Sequence, residues 1–396
     1  QPSSESAPSN YVGRLQSPAG SDVGRLYPPA GSELSAPGAN QCPPGSAPPS
    51  YVGRLQPPSG FAPSSAVGRL YPPAGVELSA PGANQCPPGS APAYYVGRLQ
   101  PPAGSESAYY VGRFAPTPSG SLHFGSLYTA LASYLDARAA GGRWLLRIED
   151  VDRARSRESF IGAICRTLAA LGLHWDGEIR RQSQHLDDYC AVLAELAPHC
   201  YYCDCSRRHW QPGAALGPLG PVYPGYCRRL RKSTGALRLA LPDEEIGFHD
   251  RLWGERRFAL AQLGDPILRR RDGDMAYLLA VVVDDQLQGV NQVVRGRDLY
   301  AATPLQIQLQ RLLGYATPAY LHLPLILGPD GEKLSKSRAA PALNPDALRT
   351  ALAAALQALG QPVLGDSCEE MLAAAVRHWQ PARIPRVDLP RPAGVE

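Results

Sequence analysis

The sequence lacks any stretch that is apolar over the length of a membrane span, because its longest apolar run lies near Ala276 to Val283. A spanning helix needs about 20 such residues. The first residues also lack the charged segment followed by an apolar one that marks a secretory signal peptide. A large charge excess is missing too, since the formal net charge over 396 residues is +4. These absences favour a soluble protein and permit RNA binding without demanding it.

The first 108 residues contain few side chains able to build a core, because Pro, Gly, Ser and Ala dominate them. We therefore predict a disordered or polyproline-II-like tail over residues 1–108. The nine cysteines are odd in number, and three of them are clustered. Such cysteine usage indicates a reducing compartment, and we expect a cytoplasmic protein.

The tail repeats one phrase, which reads YVGRLQSPAG from Tyr11, YVGRLQPPSG from Tyr51 and YVGRLQPPAG from Tyr95. A further copy, YVGRFAPTPSG, begins the folded part at Tyr110. The repeats lack an apolar face that stacking could bury, which argues against a solenoid. We interpret them as tandem duplications of the coding segment for the first strand and loop, and a binding role of their own remains the alternative.

From Tyr110 onward, short apolar strands alternate with helical periodicity, and this pattern predicts an α/β fold with a parallel sheet. Residues 109–114 and 144–148 are predicted strands, and no GxGxxG follows the first, which makes a dinucleotide site unlikely. The predicted division is 1–108 tail, 109–199 first half of a Rossmann-like catalytic domain, 200–231 insertion, 232–337 second half and 338–396 helical region.

Two separated segments suggest a nucleotide site. His123, Gly125 and Ser126 form a His-x-Gly-Ser turn that opens a predicted helix, where free backbone N–H groups and the helix dipole attract phosphate. The later loop GEKLSKS carries Lys333 and Lys336 after an apolar run. Either pattern alone is weak, but both occur in the order that a triphosphate site requires.

These segments resemble the HIGH and KMSKS motifs of class I aminoacyl-tRNA synthetases. The resemblance implies ATP with Mg²⁺ as a co-substrate, His123 and Lys336 on its phosphates beside Gly125, and a catalytic set that adds Ser126 and Lys333. Ser126 stands where the family often has a second histidine, which replaces a potential cation with a hydroxyl.

Four further segments resemble the glutamyl branch of that family. They are GRFAPTPSG from Gly112, RIEDVDRAR from Arg147, AYLLAVVVDD from Ala276 and VVRGRDL from Val293. The 59 residues after the loop are short for an anticodon-binding domain. The chain is therefore similar to glutamyl-Q tRNA(Asp) synthetases, which resemble a glutamyl-tRNA synthetase catalytic domain without that domain.

A glutamate substrate carries two carboxylates and one ammonium, so its pocket needs two cationic forks and one anion. Arg113 and Arg295 are the candidate forks, because planar guanidinium binds carboxylate in bidentate fashion, and Glu149 is the candidate anion. The resemblance adds further glutamate-binding positions, namely Phe114, Ala115, Pro116, Thr117 and Tyr277. Val281 stands where many relatives have Asn, so one side-chain hydrogen bond is expected to be missing.

The predicted insertion holds Cys203, Cys205 and Cys227, an incomplete tetrahedral zinc set. The resemblance assigns the fourth position to Tyr223 and implies one structural zinc ion. Cys200, His199 and His209 are more conventional alternatives, and a metal-free cluster is another.

The favoured hypothesis is an enzyme that activates L-glutamate with ATP and transfers it to queuosine in tRNA(Asp). We expect a monomer without a membrane partner. A truncated glutamyl-tRNA synthetase that charges a 3′ adenosine is the alternative within the enzyme class. A non-catalytic tRNA-binding or regulatory module is the alternative outside it.

Overall fold

The computed structural model of this protein describes residues 109–334 and 341–393. The predicted tail over 1–108 and its repeats lie outside the described residues, as does Lys336 of the second nucleotide segment.

The secondary structure alternates as the sequence predicts. The strands are β1 Val111–Phe114, β2 Arg143–Ile148, β3 Arg180–Arg181, β4 Cys200–Cys203, β5 Leu216–Gly217, β6 Gly220–Pro221, β7 Ala236–Leu239, β8 Glu245–Asp250, β9 Gly254–Ala259, β10 Ile267–Arg269, β11 Gln292–Gly296, β12 Ala319–Leu323, β13 Ile326–Leu327 and β14 Leu389–Pro390. The helices are α1 Phe124–Ala139, α2 Glu158–Ala170, α3 Leu186–Glu195, α4 Arg207–Trp210, α5 Tyr277–Leu287, α6 Thr303–Leu313, α7 Leu348–Ala358 and α8 Cys368–His378.

The first sheet has the order β1-β2-β3, and both of its strand pairs are parallel. Helix α1 connects β1 to β2, as a parallel connection requires. Its start follows the Pro/Gly-containing loop after β1, and Gly141 with a φ of 65° ends the connection where a left-handed residue is needed. The loop after β1 and the end of β2 meet where Glu149 N–H donates to the Pro116 carbonyl at 3.1 Å.

A second sheet has the order β11-β12-β8-β9. The first three of these strands are parallel, and β9 forms an antiparallel hairpin with β8. Asn291, just before β11, connects this sheet to the first one. Its side-chain Oδ1 accepts from Val111 N–H at 2.9 Å, and its own N–H donates to the Val111 carbonyl at 3.1 Å.

The expectation of a parallel sheet is therefore only partly right. Besides the β8–β9 hairpin, β7 pairs antiparallel with both β4 and β10. The pairing of β4 with β7 closes the base of the predicted insertion, with Cys203 opposite Ala236. Antiparallel pairs need no crossover helix, so the short links near these strands permit them.

The helices after the second nucleotide segment pack on the body of the fold. Leu352 of α7 and Leu372 of α8 belong to the same buried core as Leu131 of α1. Ser367 begins α8 with a capping box, in which its Oγ accepts from Glu370 N–H while the Glu370 carboxylate accepts from Ser367 N–H. Among the described residues, no helix combines the length and the apolar character that crossing a membrane requires.

Candidate active site and candidate metal centre

His123 is the N-cap of α1, and its side chain folds back onto the first turn. Its Nδ1 accepts a hydrogen bond from Ser126 N–H at 3.3 Å. A neutral imidazole whose Nδ1 accepts carries its proton on Nε2, so Nε2 is a donor. The helix start therefore presents an N–H donor from the side chain in addition to the backbone dipole.

The prediction that the first-turn amides are free needs one correction. Ser126 N–H is already bonded to His123, through Nδ1 and through the backbone carbonyl at 2.9 Å. Gly125 lets the imidazole approach, because a Cβ at this position would lie 3.1 Å from His123 Cε1 and 3.3 Å from Nδ1. The glycine thus permits this histidine conformation.

The described ends of the two nucleotide segments meet. A Cβ on Gly125 would lie 3.9 Å from the Ile326 Cβ, which places the start of α1 against β13. On the near side of the second segment, Leu334 N–H donates to the Ile326 carbonyl at 2.8 Å. On its far side, Leu343 N–H donates to the carbonyl of Leu122, the neighbour of His123, at 2.9 Å. Leu334 and Leu343 are therefore each bonded to a residue that lies next to the His123 turn.

Lys333 forms an ion pair with Asp298. Asp298 lies in the short 3₁₀ helix Arg297–Ala302 that follows β11. Lys333 also bridges Leu327 of β13 as an isolated antiparallel pair. These contacts tie the start of the second nucleotide segment to the end of the strand that carries Arg295.

Buried charges converge at the ends of β1 and β2. Asp285 Oδ1 accepts from Arg113 Nε at 3.1 Å and from Arg147 Nη1 at 2.7 Å. Arg147 Nη2 donates to Glu149 Oε1 at 3.4 Å. Burial opposes ionisation of Asp285, but the two guanidiniums hold its pKa below the usual value. We call Arg113, Arg147, Glu149 and Asp285 together with Arg295 the charged cluster.

Glu149 is the least compensated member of the charged cluster. Burial raises its pKa to about 7, although the nearby charges of Arg147 and Arg113 oppose the rise. The neighbouring carboxylates of Asp285 and Asp284 raise it further. A cation placed beside Glu149 would lower its pKa, because an opposite charge favours the ionised form.

Tyr277, at the start of α5, connects Arg295 to the other charges. Burial raises the pKa of its phenol, and Glu149, Arg295 and Arg113 all act on it electrostatically. Arg295 is itself buried, with Nε donating to His322 Nε2 at 3.1 Å and Nη2 donating to Thr303 Oγ1 at 2.8 Å. Both candidate forks and the candidate anion therefore lie close enough to this phenol to influence its pKa.

The remaining predicted glutamate-binding positions form the loop after β1. Ala115, Pro116 and Thr117 follow the strand directly, and Ala115 and Thr117 are partly exposed. The ring of Phe114 stacks on Trp144 with a centroid distance of 6.3 Å and is buried in the core. A contact from Phe114 to glutamate would therefore involve its backbone. Val281 is fully buried in α5.

Several buried polar residues near the site are absent from the predicted set. Arg147 interrupts an apolar strand, and a fully buried arginine requires partners, so this pattern was a usable signal. Asp285 ends the apolar run of α5, and a buried carboxylate likewise requires partners. His322 and Asp250 gave no local signal, because their interaction joins strands 72 positions apart.

Three cysteines form the candidate metal centre. The Sγ atoms of Cys203, Cys205 and Cys227 all lie within 4.8 Å of one another. The Tyr223 hydroxyl lies 3.2 Å from Cys203 Sγ and 3.6 Å from Cys205 Sγ. Arg238 lies over the Tyr223 ring at 4.0 Å from the centroid and places a positive charge beside the phenol. The three thiols fit zinc ligands in type, and the Tyr223 hydroxyl is a fourth group close to two of them.

The competing ligands lie farther out. Cys200 pairs with Leu239 across β4 and β7, and burial raises the pKa of its thiol to about 11. His199 is exposed before β4. His209 is exposed in α4, where it lines a cleft of about 530 Å³ together with Cys205 and Cys227. Among the described residues, the metal-ligating group that meets the distance criterion contains none of these three.

The sequence matches a known family over most of the residues that the structure describes. The family model for tRNA synthetases class I (E and Q), catalytic domain, matches residues 110–215 and 225–371. The two matched segments cover both nucleotide segments and the charged cluster.

Similar proteins fall into two groups. A glutamyl-Q tRNA(Asp) synthetase of Pseudomonas fluorescens is 49% identical over 281 residues, which cover 69% of this chain and 92% of the relative. One of Ectopseudomonas mendocina is also 49% identical over 281 residues, with 69% and 94% covered. A solved glutamate tRNA ligase of Elizabethkingia meningosepticum, in complex with its amino acid, shares the fold with a TM-score of 0.59 and 23% identity, covering 72% of this chain and 67% of that one.

The two nucleotide segments, the charged cluster and the three-cysteine centre occur together in a sequence that matches this family over most of its described length. The chain belongs to the class I glutamyl- and glutaminyl-tRNA synthetase catalytic-domain family and, within it, to the glutamyl-Q tRNA(Asp) synthetases.

Proposed function

We propose that this protein activates L-glutamate with ATP and transfers it to the queuosine base of tRNA(Asp). The observation that carries the proposal is the 49% identity to a named glutamyl-Q tRNA(Asp) synthetase over 92% of that relative. The charged cluster supports the amino acid, and the paired nucleotide segments support ATP. A tRNA substrate would place the activity in the cytoplasm.

In the activation step, a carboxylate oxygen of glutamate attacks the α-phosphorus of ATP. The bond from that phosphorus to the bridging oxygen breaks, and pyrophosphate leaves with the electron pair. Charge accumulates on the phosphoryl oxygens, so fixed donors there lower the barrier. His123 Nε2 would donate to these oxygens, and Lys336, outside the described residues, would neutralise the β- and γ-phosphates with Mg²⁺.

Glutamate would bind in the charged cluster. Arg295 and Arg113 would hold its carboxylates, because planar guanidinium groups match carboxylate geometry. Glu149 would hold the ammonium, whose positive charge favours ionisation of this buried carboxyl group. Tyr277, Ala115 and Thr117 would complete the pocket.

In the transfer step, a hydroxyl of the queuosine diol attacks the activated carbonyl carbon. An ester bond forms, the bond to AMP breaks, and the hydroxyl proton leaves with the AMP phosphate. The net result is one glutamyl ester, AMP and pyrophosphate.

A structural zinc ion would bind Cys203, Cys205, Cys227 and Tyr223. When bound, zinc would stabilise the segment 200–231, whose own cluster of buried hydrophobic residues is small. The segment would then be a zinc-binding insertion between the two halves of the catalytic domain.

Metal analysis of four proteins tests the zinc proposal. We expect one zinc per chain in the wild type and in His209→Ala, reduced retention against a chelator in Tyr223→Phe, and loss in Cys227→Ala. Unchanged zinc content in Cys227→Ala would remove the assignment. Loss in His209→Ala with retention in Tyr223→Phe would make His209 the fourth ligand.

The function itself is tested by transfer of radiolabelled glutamate to defined tRNAs. We expect label on tRNA(Asp) that carries queuosine and none on the same tRNA with guanosine at that position. Removing the 3′-terminal adenosine should leave labelling unchanged. Label that requires the 3′ adenosine of tRNA(Glu) would indicate a glutamyl-tRNA synthetase instead. Absence of glutamate activation altogether would indicate a binding module.

A further inference from the structure

A chain of buried hydrogen bonds runs from Asp250, at the end of β8, to the Arg295 guanidinium. Asp250 Oδ1 accepts from Leu252 N–H at 2.9 Å and Trp253 N–H at 3.0 Å. Its Oδ2 accepts from His322 N–H at 3.1 Å and lies 2.7 Å from His322 Nδ1. Burial opposes its charge, but these bonds hold the pKa of Asp250 below the usual value. The carboxylate is therefore fixed in position and charged.

The bonding pattern determines the tautomer of His322. Nδ1 must donate, because ionised Asp250 can only accept. Nε2 must accept, because it lies 3.1 Å from Arg295 Nε, which can only donate. Burial also lowers the pKa of His322 to about 4, which keeps the ring neutral. A protonated ring would place an N–H against the Arg295 N–H.

Thr303 fixes the other edge of the guanidinium. Its oxygen accepts from Arg295 Nη2 at 2.8 Å, and its one proton has two acceptors within reach, the Leu299 carbonyl at 3.1 Å and His322 Nε2 at 3.2 Å. Tyr320 lies under the guanidinium, 5.2 Å from its central carbon to the ring centroid. Two acceptors and one aromatic face leave the arginine little freedom to rotate.

One nitrogen of this fixed guanidinium has no partner in the part of the chain that the structure describes. Arg295 is 4% exposed, and its Nη1 is buried without a hydrogen bond to any of the described residues. An unpaired buried charged donor is costly unless a ligand completes it. Arg295 acts electrostatically on Tyr277 together with Glu149 and Arg113, and the Asn291–Val111 hydrogen bonds place β11 beside β1, so Arg295 lies near the other members of the charged cluster.

We infer that Asp250, His322 and Thr303 are positioning residues, which hold Arg295 so that Nη1 meets a carboxylate of the amino acid substrate. The inference rests on the proposed glutamate activation and adds three residues outside the charged cluster. Asp250 acts through His322, and His322 and Thr303 act through Arg295. None of the three touches glutamate.

Glutamate-dependent exchange of labelled pyrophosphate into ATP separates positioning from simple core packing. His322→Leu keeps the approximate volume but removes the acceptor for Arg295 Nε. We expect the KM for glutamate to rise by about tenfold to a hundredfold, while the KM for ATP changes less than about twofold. His322→Gln, whose amide oxygen can accept from Arg295, should recover most of the loss. His378→Leu, on the exposed last turn of α8, is the control.

A double-mutant cycle supplies the readout that a packing role would not move. If His322 acts through Arg295, adding His322→Leu to Arg295→Ala should cause little further loss of kcat/KM for glutamate. Additive losses would overturn the inference. Equal rises in the KM for glutamate and for ATP would overturn it as well.

Thr303→Val provides a second variant should His322→Leu fail to fold. It removes the acceptor of Nη2 at nearly constant volume, and we expect a rise of about threefold to thirtyfold in the KM for glutamate alone. An unchanged KM would contradict the inference. Wild-type protein without glutamate-dependent exchange would overturn the proposed function and this inference together, whereas active wild type with unaffected variants would overturn the inference only.

Discussion

Asp136 and Glu149 are buried carboxylates in two different regions of this protein, and they are hydrogen-bonded to different degrees. Asp136, in α1, accepts from Tyr110 OH at 2.6 Å, from both Nη atoms of Arg251 at 2.6 and 2.9 Å, and from Trp379 Nε1 at 2.9 Å. In the charged cluster, the Glu149 carboxylate has one side-chain hydrogen bond among the described residues, from Arg147 at 3.4 Å. The first carboxylate is fully hydrogen-bonded, and the second is not.

The difference separates scaffold from binding site. The Asp136 contacts join α1 to the segments before β1, after β8 and after α8, so they hold the fold together. The charged cluster keeps a carboxyl group with a pKa of about 7 and an arginine donor without a partner among the described residues. Polar groups that are left incomplete in the folded chain indicate where a charged ligand binds.

The largest expected effect comes from removing the fully hydrogen-bonded carboxylate of Asp136. Asp136→Ala removes four hydrogen bonds and leaves Arg251 unpaired, and we expect a loss of about 3 kcal/mol in the free energy of unfolding. Arg251 is 31% exposed, which keeps the loss near the lower end of the range for buried pairs. Urea denaturation measures it, with exposed Asp366→Ala as a control that should change by less than about 0.5 kcal/mol. A loss equal to that of the control would refute the scaffold role.

Substituting Glu149 in the charged cluster should affect substrate binding more than stability. Glu149→Gln removes the candidate anion but keeps its shape, so we expect kcat/KM for glutamate to fall about tenfold to a hundredfold. The free energy of unfolding at pH 8 should stay equal or rise, because a poorly compensated buried charge disappears. Pyrophosphate exchange and urea denaturation of the same preparation measure both. A large loss of stability with unchanged kcat/KM would mean that Glu149 stabilises the fold and does not bind the substrate.

The pH dependence sharpens the same comparison. Since the pKa of Glu149 rises from 4.5 to about 7 on folding, the folded state holds the extra proton between these values. The free energy of unfolding of the wild type, relative to Glu149→Gln, should therefore fall as pH rises from 4.5 to 7 and stay level above. The KM for glutamate should decrease over pH 6 to 8 in the wild type, as Glu149 ionises. A flat difference in stability would exclude the raised pKa.

The smallest effect is expected where an ion pair is exposed. The side chains of Lys333 and Asp298 are 44% and 32% exposed, so Lys333→Met should change the free energy of unfolding by less than about 1 kcal/mol. If the pair holds the second nucleotide segment, Lys333→Met and Asp298→Asn should lower kcat of exchange to a similar extent. The double variant should then be no slower than either single one, within about 0.5 kcal/mol. Additive losses would mean that Lys333 acts without Asp298.

The sequence could predict elements whose signals are local. Alternation and periodicity located β1, β2, the helix that begins after His123 and the helical region near the end of the chain, because each pattern depends on neighbours within a few residues. The hairpin of β8 and β9 was missed, since the expectation of a parallel sheet came from the general alternation of strands and helices. Its pairing, with Glu245 opposite Ala259, is visible only once the register is known.

Within the candidate site, motifs supplied the groups but not their partners. Arg113 and Asp285 are 172 positions apart, and no local pattern links them. The same holds for His322 and Asp250, whose bond depends on the parallel pairing of β12 with β8. Whether a buried polar group finds hydrogen-bond partners depends on the tertiary structure. The contrast between Asp136 and Glu149 could therefore not be derived from the sequence.

A crystal structure of the protein soaked with L-glutamate tests the central claim most directly. It should show one substrate carboxylate within hydrogen-bond distance of Arg295 Nη1, the other beside Arg113, and the ammonium beside Glu149. Glutamate bound elsewhere, with Arg295 Nη1 still unpaired, would contradict the view that the incomplete charges form the binding site.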